Sequence, residues 1–135
     1  MKYNDLFENE QIEKYISDEE MSLYTTGFCH VFAFALNDLL PDSDIVVVYD
    51  FDLDIESEVI THVLIKHRNL FMDITTITND INVILDQYVD HGEQEVVINN
   101  NRSSITELAG DFTNSDCRKA KESAKKFPAL YNEYY

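Results

Sequence analysis

Between residues 28 and 40 the chain reads FCHVFAFALNDLL, apolar on nearly every side through its first two turns. That pattern belongs to a helix covered by other elements, and Pro41 marks where it stops. Around it the pattern changes character. Residues 4–16 place Leu6, Phe7, Ile12, Tyr15 and Ile16 at helical spacing with a polar face outward. Ser17 followed by Glu20 has the form of a capping box, so a second short helix is expected to about residue 24. Thr25, Thr26 and Gly27 then break the pattern.

After Pro41 the apolar residues become β-branched and bunched, which predicts strands at about 45–51 and 59–66. A turn at 67–69 leads into a third strand at 70–75. Asn79 or Asp80 is placed to cap a helix running to about Asp90, with Gly92 past its end. A fourth strand is expected at 95–98, and short helices near 103–109 and 115–127, the last ended by Pro128. The tail ALYNEYY is expected to dock on the domain. The expectation is one α+β domain, a central buried helix packed on a small antiparallel sheet of about four strands.

Length changes this picture little, since 135 residues suit one domain with its own core. Charge changes it more. The net charge of -16 argues against direct binding of nucleic acid, which needs Lys and Arg clusters, and against an anionic membrane surface. It favours a basic peptide or protein as substrate or partner. The run Arg118–Lys126 is read as the exposed face of the last helix. No apolar run reaches the ~20 residues of a bilayer span, and MKYNDLFENEQ has no apolar signal core. With two cysteines of unlike context and no disulfide framework, a cytoplasmic location is expected.

Candidate chemistry begins with Cys29, at the head of the buried helix, where the helix dipole favours a thiolate. The segment THVLIKHRNLFMDIT reads as a hairpin. With its turn centred on His67 and Arg68, His62 lies opposite Asp73, so the carboxylate can orient the imidazole. On this register Leu64 and Phe71 share the His62 side and are free to pack on the Cys29 helix. Asp50, Asp52 and Asp54 alternate as calcium ligands do, but an EF-hand needs Gly at position 55 and Glu at position 61, where this chain has Ile55 and Thr61. His30 is read as a core or rim histidine, and His67 and His91 as surface residues. No spacing calls for a metal or a cofactor.

TTGFCHVFAFAL and THVLIKHRNLFMDIT together resemble the papain-like and transglutaminase-like cysteine hydrolases, small bacterial cell-wall peptidases included. In those proteins a cysteine opens a buried helix, a histidine lies on a following strand, and an acid or amide lies on the next. The resemblance covers about residues 24–76. It implies a papain-like or transglutaminase-like core, with Cys29 as nucleophile, His62 as base and acid, and Asp73 as the orienting group. The glutamine that often precedes the cysteine is missing, so the Cys29 amide with Tyr24 or Thr26 would complete an oxyanion hole. The expected activity is a cysteine-dependent hydrolase or acyl transferase acting on an amide or isopeptide bond. The competing expectation is a non-enzymatic acidic inhibitor, phage- or mobile-element-encoded, that blocks a basic site on a nucleic-acid-binding or other partner.

Overall fold

A computed structural model describes residues 12, 15–87 and 94–127. Most of the helix expected at 4–16 (residues 4–11, 13 and 14), the end of the helix near Asp90, His91 and the aromatic tail lie outside the described residues. The chain is α+β, as expected. Helix α1 (Asp18–Thr25) and helix α2 (Cys29–Leu39) precede strands β1 (Asp44–Asp52), β2 (Ser57–His67), β3 (Leu70–Asp73) and β4 (Thr76–Thr78). Helix α3 (Ile81–Leu85), strand β5 (Glu95–Ile98), helix α4 (Arg102–Ala109) and helix α5 (Asn114–Lys126) follow. The five strands form one sheet in the order β4-β3-β2-β1-β5, antiparallel at every pairing. None of the described helices is long and apolar enough to cross a membrane.

Helix α2 is central because it buries almost its whole circumference. Val31, Phe32, Ala33, Phe34, Ala35 and Leu36 are each no more than 5% exposed. One side packs on Ile45, Val47, Val63, Ile65 and Met72 of the sheet, the other on Tyr24, Ala120, Ala124 and Phe127. Covering such a Leu, Ile or Phe contributes about 1.5–3 kcal/mol each. A smaller cluster of Val46, Val48, Leu64 and Ile84, joined by Phe71, covers the other face of the sheet beneath α3. Leu64 and Phe71 therefore do not pack on α2, contrary to the sequence reading. In an alternating strand their neighbours Val63 and Met72 take that role.

The capping box forms as expected: the Ser17 hydroxyl accepts from the Glu20 amide at 3.1 Å and the Glu20 carboxylate accepts from the Ser17 amide at 2.9 Å. Glu20 also accepts from the Ser123 hydroxyl and, at 2.8 Å, from the Lys126 ammonium, so it ties α1 to α5. Burial opposes its charge, but these donors outweigh it and hold the carboxyl down at about 2. Glu20→Ala is expected to cost about 1–3 kcal/mol in urea unfolding at neutral pH, because it removes a cap and the acceptor for Ser123 together. Since the folded value is depressed, this contribution exists above the ordinary carboxyl range and is lost as pH falls towards 2.

A fifth strand was not expected. The stretch read as one strand at 70–75 is two, folded back at Ile74 and Thr75 so that Phe71 pairs with Thr78. No Gly, Pro or Asn announces this turn. Asp73 makes it, its Oδ1 accepting from the Thr75 amide at 2.8 Å and the Thr75 hydroxyl at 2.7 Å.

Candidate functional site

Cys29 is the first residue of α2, and the capping position before it, Phe28, supplies no side-chain hydrogen bond. The first amides of a helix have no partners within it, so they present positive partial charge at the Cys29 end. No acidic residue occupies that first turn to cancel it.

His62 lies in the middle of β2, next to an irregularity. Val48 pairs with His62 but Tyr49 pairs with Ile60, which leaves Thr61 as an extra residue. Such a bulge interrupts the alternation of side chains and re-aims those beside it. A hydrogen bond between the His62 ring and the Cys29 sulfur acts on the ionisation of both groups.

The hairpin register differs from the one expected. Its turn is Arg68-Asn69, with His67 opposite Leu70 and Ile65 opposite Met72. Extended by the same rule, Asp73 falls opposite Leu64 and diagonal to His62, two residues from the expected position. A slip of one residue would have sent the carboxylate to the other face; a slip of two keeps it on the His62 side. The imidazole Nε2–H donates to Asp73 Oδ2 at 2.8 Å, with both side chains buried. Because Nε2 is committed to Asp73, Nδ1 is the ring nitrogen left for the sulfur.

The electrostatics follow from this packing. Burial pushes the Cys29 thiol up, but the His30 and His62 imidazoles and the Val63 amide outweigh it and bring it down to about 6. His30 gives its Nε2–H to the Gly110 carbonyl at 2.8 Å. His62 is therefore the imidazole with a carboxylate behind it. Burial likewise opposes charge on His62, yet Asp73 and Cys29 raise it to about 9. Burial raises the Asp73 carboxyl, and His62 and Thr75 more than reverse that. Between about pH 6 and 9 the pair is a thiolate facing an imidazolium.

The other candidates lie elsewhere. The Thr26 hydroxyl donates to the Ser22 carbonyl at 2.8 Å, within its own helix end. Tyr24 is buried with its ring 5.3 Å from that of Phe32 and its hydroxyl beside Ser123. The Thr26 hydroxyl is thus held at the end of α1, and that of Tyr24 ties α1 to α5. His30 is a core residue, as read. His67 is not a surface residue: it is 3% exposed and its Nε2–H donates to Asp42 at 2.7 Å, since the turn begins one residue later than expected. Cys117 is a free thiol on the rim of a cavity of about 440 Å³ with Val31, Phe34, Arg102, Phe112 and Lys121. A shallower cavity of about 730 Å³ lies between α1 and α5, lined by Tyr24, Thr26, Lys119 and Ser123 among others. Neither cavity includes Cys29, His62 or Asp73. Among the described residues no group of His, Cys, Asp and Glu is arranged to hold a metal ion.

No sequence-family model, curated protein or solved structure matches this chain.

Proposed function

We propose that the chain is a cysteine-dependent hydrolase or acyl transferase with a papain-like or transglutaminase-like core, acting on an amide or isopeptide bond. One observation carries this reading: Cys29, His62 and Asp73, drawn from three separate elements, form a continuous thiol–imidazole–carboxylate chain in which the thiol ionises below neutrality. A buried structural cysteine needs no such arrangement.

The chemistry follows from the ionic pair. The Cys29 thiolate attacks the carbonyl carbon, and the carbonyl π electrons move to oxygen, which the Cys29 amide at the helix start is placed to receive. The His62 imidazolium gives its Nδ1 proton to the leaving nitrogen, the C–N bond breaks, and an amine departs from a Cys29 thioester. Neutral His62 then takes a proton from water, or from an acceptor amine, as that nucleophile attacks the thioester. The C–S bond breaks and the thiolate–imidazolium pair is restored. Asp73 keeps the Nε2–H tautomer through both halves.

A second reading is favoured by one observation. His62 is 1% exposed and the two larger cavities lie away from it. A chain of net charge -16 with a closed-off imidazole suits a non-enzymatic acidic binding protein that covers a basic site on a partner.

Alkylation by iodoacetamide separates the two. For the hydrolase, Cys29 is expected to react at pH 7 at least about tenfold faster than Cys117, read by peptide mass mapping. Equal, slow reaction at both cysteines would remove the enzymatic reading. The acidic binder would then stand, and its complex with a basic partner should weaken steeply between low and moderate salt.

A further inference from the structure

Strands β1 and β2 outrun the rest of the sheet. Strand β5 pairs only with Val46 to Tyr49, and β3 only with Ile65 to His67. Beyond those limits β1 and β2 pair with each other, from Asp50 opposite Val59 to Asp52 opposite Ser57. The result is a two-stranded arm closed by the turn at 53–56, where Glu56 takes a φ of 52°. Two strands alone are marginally stable in water, so an arm of this kind has little to spend on surface that does not help it fold.

Its surface is nonetheless apolar. Phe51 is 52% exposed, Leu53 80% and Ile55 62%. Single exposed apolar residues are ordinary; three alternating at one tip are not explained by folding. Between them and after them stand Asp50, Asp52, Asp54, Glu56 and Glu58, with no Lys or Arg from position 50 to 61. Charged residues on a free edge guard against pairing with other chains. Guarding accounts for the acids and leaves Leu53 unaccounted for.

We infer that this arm is a docking element for a basic protein segment in which apolar side chains alternate with Lys or Arg. The three apolar side chains supply contact area and the flanking carboxylates select the charge. The arm also leads to the site, because β2 runs from Glu58 to His62 in four residues, about 13 Å of extended chain. If the hydrolase reading holds, which this consequence alone rests on, a segment held along the arm is delivered to Cys29.

The test is binding, measured on the Cys29→Ser chain so that it stands whatever the thiol does. The probe is a fluorescein-labelled peptide alternating Lys and Leu, compared with its Glu-for-Lys counterpart, by anisotropy at fixed moderate salt. The Lys peptide is expected to bind and the Glu peptide not to. Leu53→Ser with Ile55→Ser is expected to weaken the Lys peptide by about tenfold or more. That variant leaves the net charge unchanged, so attraction by the acidic surface at large does not imitate the effect. Equal affinity in the variant, or no binding by the parent chain, overturns the docking role. Binding that is lost in the variant while the unsubstituted chain turns over no amide sustains the arm and removes the hydrolase reading.

Discussion

His62→Ala is expected to move the pH midpoint of Cys29 alkylation up from about 6, at most to the ordinary thiol range near about 8.5, since His30 and the Val63 amide still act on the sulfur; the full shift sets the upper limit of the effect. The reasoning runs through two opposed effects. At pH 6 about half of the parent thiol is ionised, against well under one per cent in the variant, a loss of about 150-fold in thiolate. A thiolate of higher pKa is a better nucleophile, and a Brønsted slope of about 0.45 over about 2.5 units returns about 13-fold. The net expectation is a rate about tenfold lower at pH 6. The same arithmetic reverses the order at high pH, where both thiols are ionised and the more basic one reacts faster, so the two profiles should cross near about pH 7.5. Alkylation of Cys117 in the same samples gives the reference. An unchanged midpoint would mean that His30, the helix start and the Val63 amide depress the thiol without His62. Amide turnover, which also needs His62 to protonate the leaving group, is expected to fall by about a thousandfold.

The elements of this fold were legible wherever local rules decide them. The capping box at Ser17 and Glu20, the all-apolar first turns of α2, and the β-branched runs of β1 and β2 each carry their own signal. What sequence did not give depends on contacts between distant or weakly marked groups. The turn that separates β3 from β4 is made by the Asp73 carboxylate, the group already assigned to His62, and a pattern search has no reason to use one side chain twice. The hairpin turn at Arg68-Asn69 has an Arg at φ 59°, where Gly or Asn is the usual marker, so the register was read two residues away. The error left His62 and Asp73 on one side because it was even; Leu64 and Phe71 were misplaced for a separate reason, that the face they share was assigned to α2 when Val63 and Met72 cover that helix. The bulge at Thr61, next to His62, has no sequence signature here at all.

Asp73→Ala should be among the most destabilising substitutions in the chain. The carboxylate accepts from the His62 imidazole, the Thr75 amide and the Thr75 hydroxyl, and is 3% exposed. Removing it leaves the Thr75 amide and the His62 Nε2–H buried without that acceptor and takes from the imidazole one of its two counter-charges, for an expected cost of about 3–5 kcal/mol in urea unfolding. Asp73→Asn keeps an acceptor for Thr75 and should cost about 1–2 kcal/mol. Dependence on pH distinguishes the charge from the hydrogen bonds. The raised His62 value means that its contribution is complete below the unfolded value near about 6.5 and is lost as pH rises through about 9. The depressed Cys29 value works in the other direction, adding stability as pH rises from about 6 towards the unfolded thiol value. In the parent chain the two slopes oppose each other and stability should be nearly flat across that window. In Cys29→Ser only the imidazole slope remains, and without the thiolate it ends below about 9, so stability should fall as pH rises from about 6.5, by up to about 1.4 kcal/mol per pH unit. Adding Asp73→Ala to Cys29→Ser should abolish that fall, because the imidazole no longer has a reason to hold its proton. A fall that persists in the double variant would show that some other group keeps His62 charged, and the orienting role of Asp73 would go with it.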